Sequence, residues 1–318
     1  MIKSLIVLIS ITFGFSTLMA ASSADSSFVE SSIILHTPSG DISGTITIPR
    51  VFGQIPLALI ISGSGPTDRD GNNPVMKNES LKKLSYGLAA NNIATVRFDK
   101  RGIGESKSAA KSEADLRFED YIRDAEGWIT LLKKDKRFSK IFIIGHSEGS
   151  LIGMIAALKQ ADGIVSIAGP GKSADKTLKE QLNSQPQMIK DLTFPIIDSL
   201  VKGRLVYDVN PMLNSLFRQS VQPYMISWFH YDPQIEIQKL TKPALIVQGT
   251  NDIQVSVDDA NLLAKAYPRA QLVLIKNMNH IFRVLEGDRN ANMATYNNSL
   301  LPISDELTNS IAVFINKS

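Results

Sequence analysis

The chain alternates between two hydrophobic periods. Ser31 to Pro49 carries apolar residues at Ile33, Ile34 and Leu35, a turn at Pro38-Ser39-Gly40-Asp41, then Ile42, Ile46 and Ile48 between polar positions. That is the pattern of two strands joined by a turn. Ile55 to Ile61 is a continuous apolar run, as are Ile93 to Phe98, Ile141 to Ile144 and Ile164 to Ala168. Runs of this length suit strands buried on both faces. Between them, Glu79 to Ala90 and Phe118 to Leu132 repeat apolar residues at helical spacing, and Leu151 to Leu158 reads as a further helix. From Lys172 to Lys239 the alternation stops and the pattern is helical without a strong strand run. After Pro243 it resumes: strand Ala244 to Val247, helix Asp258 to Tyr267, strand Leu272 to Ile275, helix Ile303 to Ile315. Alternating strands and helices predict an α/β fold, a mostly parallel central sheet with helices on both faces. Residues 25–171 and 240–318 form its core, and 172–239 is expected to be an inserted helical cap.

A length of 318 residues fits one large core with an insertion, and 43% hydrophobic with 20% charged residues is ordinary for a folded globular chain. The formal net charge is +3. So small a charge leaves no footprint for nucleic acid. There is no cysteine, which excludes a disulfide, a thiolate nucleophile, a zinc–cysteine site or a lipid-bearing cysteine. The four histidines, His36, His146, His230 and His280, lack the spacing of a helix-borne metal site. No metal and no cofactor are expected.

Residues 1–20 have the layout of a secretory signal peptide: Lys3 near the start, an uncharged apolar run from Leu5 to Met19, then Ala20 and Ala21. Cleavage is expected after Ala20, with Ala24 as the alternative, giving a periplasmic or secreted protein. The competing reading is an uncleaved anchor. No other segment is long and apolar enough to span a bilayer, so no stable membrane span should remain after cleavage.

The strongest chemical signal is Gly145-His146-Ser147-Glu148-Gly149 between an apolar strand and a helix. A nucleophile on so sharp a strand-to-helix turn needs glycines two residues before and after it, where the backbone passes closely. The helix that follows aims its N-terminal N–H groups at the reacting centre. Serine needs a base. His280, in Asn277-Met278-Asn279-His280, lies just past the late strand Leu272 to Ile275. Asp252, in Gln248-Gly249-Thr250-Asn251-Asp252, follows the strand Ala244 to Val247 and can orient the imidazole. Asp258 and Asp259 are rivals, but they read as the first turn of the next helix. An oxyanion needs two donors. The N–H of Glu148 is one; the other comes from Gly63-Ser64-Gly65, with Ser64 first and Gly65 second. The loop Asp68-Arg69-Asp70-Gly71-Asn72 either shapes the entrance or forms a structural ion-pair network. Asp99 to Ser106 reads as a structural turn.

With Ser62 to Pro66, Asp99 to Ser106, Gly145 to Gly149, Gly249 to Asp252 and Asn279-His280 in place, the chain resembles the α/β-hydrolase superfamily. It is most similar to bacterial esterases near the dienelactone hydrolases and prolyl-oligopeptidase relatives, with Ser147 where true dienelactone hydrolases carry cysteine. The resemblance covers the chain from about Ile55 to the end, except the cap. It implies a carboxylesterase-type serine hydrolase acting on a small-molecule ester of short to medium acyl length. The alternatives on the same scaffold are a peptidase or amidase, for which Glu148, Asp68, Asp70 and Asp232 are the candidates to hold a substrate amine, a lipase acting at lipid surfaces, and a non-catalytic binding protein. In the cap, Met188, Leu192, Phe194, Met212, Leu216, Phe217, Met225, Trp228 and Phe229 either line an acyl pocket or pack cap helices; packing is expected for most. His230 to Asp232 are expected to act as a hinge or structural closure.

Overall fold

The computed structural model describes residues 27–318. The expected signal peptide and both of its cleavage points lie outside the described residues. The elements, in chain order, begin with β1 (Phe28–Thr37), β2 (Gly40–Pro49) and β3 (Ile55–Ile61), then α1 (Ser80–Ala89), β4 (Ala94–Phe98), α2 (Phe118–Leu132), β5 (Phe138–His146), α3 (Glu148–Gln160) and β6 (Gly163–Ile167). A helical stretch follows: α4 (Ala174–Leu182), α5 (Gln187–Val201), α6 (Asn214–Phe217), α7 (Gln222–Phe229) and α8 (Pro233–Gln238). The chain ends with β7 (Ala244–Gly249), α9 (Val257–Ala266), β8 (Gln271–Ile275), α10 (Arg289–Ala294) and α11 (Asp305–Lys317).

Among the described residues the strands form one sheet in the order β1-β2-β4-β3-β5-β6-β7-β8. β1 and β2 form an antiparallel hairpin, and β2 runs antiparallel to β4. Every pairing from β4 through β8 is parallel. The continuous apolar runs are explained by burial on both faces. Leu57, Leu59, Ile61 and Ile143 pack with α2, α3 and α9, while Ala58, Ile60, Phe142 and Ile144 pack on the other face with α1 and α11. Successive strand residues alternate between the two layers, as the pleat requires.

Several boundaries differ from the sequence pattern, β5 among them, which extends beyond the Ile141 to Ile144 run at both ends. α3 begins at Glu148 rather than Leu151, because its first turn (Glu148-Gly149-Ser150) is polar or small and yet buried. α11 begins after Ser304, whose hydroxyl accepts from the Leu307 N–H at 3.2 Å, so Ile303 lies outside the helix. α10 was not anticipated, since its residues are almost all polar or small. Between β6 and β7 the helices share a small core of their own, including Ile197, Leu200, Phe217, Met225 and Phe229.

The loop after β3 settles the alternatives left open for Asp68 to Asn72. Arg69 binds Asp99 at 2.7 Å and Glu105 at 2.6 Å, Asp70 pairs with the buried Arg97, and Asp68 accepts the N–H groups of Asp70 and Asn72 at 2.9 and 2.8 Å. It is a structural network. The helix α2 anchors one layer through Trp128, fully buried against Phe98 with ring centroids 5.6 Å apart. Trp128→Ala should cost about 3–5 kcal/mol in unfolding free energy. Urea unfolding followed by circular dichroism checks this; a loss below about 1 kcal/mol would mean that the layer does not depend on that contact.

Candidate active site

Ser147 stands between the end of β5 and the start of α3. Its backbone is at φ 55°, ψ −121°, a left-handed conformation unusual for serine. The neighbouring glycines explain how the turn closes. A Cβ on Gly149 would lie 2.4 Å from the Ile61 carbonyl oxygen and 2.7 Å from that of Ser62. A Cβ on Gly145 would lie 2.2 Å from the Gly149 oxygen. The turn is therefore packed backbone to backbone against the end of β3. The Ser147 N–H donates to the Ile167 carbonyl at 2.9 Å, tying the turn to β6 as well.

His280 and Asp252 come together from the ends of β8 and β7. Nδ1 of His280 and Oδ2 of Asp252 are 2.8 Å apart, with side chains 6% and 1% exposed. The other Asp252 oxygen accepts from the N–H groups of Gln254 (2.8 Å) and Val255 (3.0 Å), and Gln248 Nε2 donates to Oδ2 at 3.2 Å. Burial alone would raise the Asp252 carboxyl. The charge and hydrogen bond of His280, with the two backbone donors, outweigh burial and hold it below its ordinary value. Asp252 is thus kept ionised where it faces the imidazole. Asp259 is instead the partner of Ser256 in a capping box at the start of α9, and Asp258 stands in the same first turn. The loop carrying His280 is pinned by Asn279. Its amide donates to Asn292 at 3.0 Å and Thr295 at 2.9 Å, and its oxygen accepts from the N–H groups of Ile281 and Arg283.

His146 links Ser147 to that loop. Its ring lies 4.7 Å from the His280 ring, and its Nε2 is 2.9 Å from the His280 carbonyl oxygen. Burial, then the nearness of His280, pushes its pKa down to about 3. The ring is neutral, and an Nε2–H donates to the carbonyl. Of the two proposed oxyanion donors, neither the Ser64 nor the Glu148 N–H has an acceptor among the described residues, and the same holds for Gly65. Ser64, Gly65, Ser147 and Glu148 line one cavity of about 320 Å³.

The rest of that cavity is largely apolar, with Leu151, Leu178, Leu216, Val221, Met225 and Trp228 on its walls. Of the apolar residues singled out between β6 and β7, Leu216, Met225 and Trp228 reach it. Phe217 and Phe229 pack inside the helical layer with Leu192 and Phe194 against them. Met188 and Met212 are exposed. Asp232 caps α8 by accepting the Gln234 N–H at 3.0 Å. Among the described residues no group of three or more histidine, aspartate and glutamate side chains is arranged to hold a metal.

The arrangement also contains residues that sequence reasoning passed over. Lys100, from the turn after β4, is buried with its ammonium 2.8 Å from Glu148 Oε2 and 2.6 Å from the Gly63 carbonyl. Tyr224 of α7 donates to Glu148 Oε1 at 2.6 Å. The sequence held no local signal for either contact.

Comparison with known proteins bears on the fold. Over 90% of this chain and 100% of the other, the structure superposes on Est1E from Butyrivibrio proteoclasticus with ferulic acid bound, at a TM-score of 0.60 and 17% identity. The enol-lactonase from Burkholderia xenovorans LB400 superposes at 0.55 over 89% of this chain and 100% of its own, with 18% identity. The chain has the α/β-hydrolase fold. Residues 78–235, just under half of it, match the Hydrolase_4 family (serine aminopeptidase, S33), a stretch that includes Ser147 and stops before Asp252 and His280. Esterase EstD of Thermotoga maritima is 26% identical over 260 residues, covering 77% of this chain and 59% of EstD. The chain thus spans about 59% of the length of that relative.

The neutral, buried His146 predicts a pH dependence of folding. Its folded pKa, about 3, lies below the ordinary 6.5, so protonation favours the unfolded chain. Stability is unaffected above pH 6.5 and falls as pH drops from there towards 3. At pH 5 the cost should be about 2 kcal/mol. His146→Gln keeps a donor without a proton to take up. Wild type should therefore lose about 2 kcal/mol more than the variant between pH 8 and pH 5 in denaturant unfolding. Equal losses would show that His146 is not the group responsible.

Proposed function

We propose that the chain hydrolyses carboxylic esters of short to medium acyl length through an acyl-enzyme on Ser147. The observation that carries this reading is the Asp252–His280 pair at 2.8 Å, joined through His146 to a serine held at a positive φ. In this reading His280 takes the Ser147 proton as the hydroxyl attacks the ester carbonyl. Asp252 fixes the imidazole and stabilises the imidazolium that forms. The tetrahedral oxyanion is bound by the N–H groups of Glu148 and Ser64. His280 then protonates the leaving alcohol, and water repeats the cycle on the acyl-enzyme. The apolar walls around Leu216, Met225 and Trp228 suit an acyl chain. The names of EstD and the ferulic acid bound to Est1E point towards the same substrate class.

An ester fits better than a substrate amine. Each acidic side chain that could hold an amine is already engaged: Glu148 by Lys100 and Tyr224, Asp70 by Arg97, Asp68 by two backbone donors, Asp232 by the Gln234 N–H. The helices between β6 and β7 act in this proposal as a cap over the cavity. We also propose that residues 1–20 are removed and that the mature chain is periplasmic or secreted; mass spectrometry of the exported protein tests this.

The decisive measurement is turnover of p-nitrophenyl esters from acetate to palmitate. Short and medium chains should be cleaved, palmitate poorly. Ser147→Ala should lower kcat by at least about 10³-fold, and Asp252→Asn by about 10⁴-fold. A Ser147→Ala protein as active as wild type would end this reading, and faster turnover of aminoacyl p-nitroanilides than of esters would favour a peptidase.

A further inference from the structure

Lys100 and Glu148 are each 2% exposed in their side chains. Burying an ion pair is a weak route to stability, because the loss of hydration offsets most of the attraction. Its position is more informative than its energy. The Lys100 ammonium has two acceptors, Glu148 Oε2 at 2.8 Å and the Gly63 carbonyl at 2.6 Å, and it lies 4.9 Å from the centre of the Tyr121 ring. The second Glu148 oxygen takes the Tyr224 hydroxyl at 2.6 Å. Burial, then the Glu148 charge, raises the Tyr224 phenol well above its ordinary value, so it remains a donor. The carboxylate is held at both ends.

The Gly63 carbonyl and the Ser64 N–H belong to one peptide unit. That unit is planar and trans, so the two groups point in opposite directions. A cation that fixes the carbonyl also fixes the N–H. We propose that Lys100 is a positioning residue for the oxyanion site: by holding the Gly63 carbonyl it aims the Ser64 N–H, and Glu148 and Tyr224 hold Lys100 in register. The inference rests on the reading of Ser147 as nucleophile. Glu148 then serves twice. Its backbone N–H is one donor, and its side chain anchors the lysine that orients the other. Gly65 belongs to a different peptide unit, whose carbonyl, that of Ser64, is held by the Thr67 hydroxyl at 3.0 Å. Lys100 therefore governs the Ser64 donor and Thr67 the Gly65 donor, which separates the two candidates.

The test uses the full chain and p-nitrophenyl acetate. Lys100→Met leaves the Glu148 carboxylate buried without its cation, so the double variant Lys100→Met/Glu148→Gln, which removes both charges together, is made beside it, with Tyr224→Phe as the mildest change. Thermal unfolding establishes which variants are folded. A folded Lys100 variant should lose about 10²–10³-fold in kcat with KM nearly unchanged. Tyr224→Phe should lose about three- to tenfold in kcat. Affinity for a trifluoromethyl ketone, which adds to serine as a tetrahedral oxyanion, should fall in parallel, while binding of the unreactive methyl ketone stays constant. A merely structural role would weaken both ketones alike. Wild-type kcat in a folded Lys100 variant, a loss confined to KM, or a kcat loss found in Thr67→Val instead would overturn the proposal. If no Lys100 variant folds, Tyr224→Phe decides it: an unchanged kcat and ketone ratio refute it. Activity that survives Ser147→Ala would mean that the nucleophile, not the positioning of its oxyanion donors, has been misread.

Discussion

The structure depends first on a close backbone crossing. β5 ends against β3, and α3 starts so abruptly that its first turn presses on the Ile61 and Ser62 carbonyls. Only a residue without Cβ fits at 149, and the contact between Gly145 and Gly149 closes the turn from the other side. This crossing forces Ser147 to a positive φ, which lifts its side chain off the sheet. The same crossing brings the end of β3, with Gly63 and Ser64, beside the start of α3. The backbone geometry of Ser147 and the nearness of the Gly63-Ser64 loop are two results of one steric constraint. The rigid sheet behind it, apolar on both faces, absorbs the strain.

Around that crossing four cations are paired with carboxylates. Arg69, Arg97, Lys100 and Arg101 come from the end of β4 or the loop after β3, and each has a carboxylate partner. Unpaired, any of them would cost several kcal/mol in so dry a place. Paired, they fix the loops that surround Ser147 without adding net charge to the cavity. The cavity beside Ser147 is walled mainly by apolar side chains, and its cations Lys172 and Arg218 are each paired with a carboxylate, Glu180 and Glu113. That combination suits a neutral acyl group better than a charged one.

Much of this was legible in the sequence because parallel strands buried on both faces leave continuous apolar runs, and their C-terminal ends are where functional loops gather. Ser147, Asp252 and His280 each follow such a run directly, so a local pattern marks all three positions. The strand order and the pairing of Asp252 with His280 rather than Asp258 or Asp259 then follow from the fold. Lys100 was hidden for a different reason. Its turn, Asp99 to Ser106, does serve as a structural corner, so the sequence already had an adequate account of it. Its partners lie 37, 48 and, through Glu148, 76 further residues away along the chain. No periodicity encodes contacts of that range. Asn279 and α10 are similar: a polar helix with almost no apolar stripe exists to hold one buried amide behind the His280 loop.

The Tyr224 contact changes how the helices between β6 and β7 relate to the chemistry. A cap that only covered a cavity could shift without consequence for the groups beneath it. Here α7 reaches down with a buried hydroxyl to the residue that follows Ser147, and the same helix supplies Met225 and Trp228 to the cavity wall. The side chains that would meet the acyl chain and the one that secures Glu148 are neighbours on a single short helix. Repacking α7 around a different substrate therefore cannot be separated from the hold on Glu148, Lys100 and the Gly63 peptide. The cavity wall is thus tied through α7 to the Gly63 peptide, whereas Leu178 and Leu216 line the same cavity from α4 and α6.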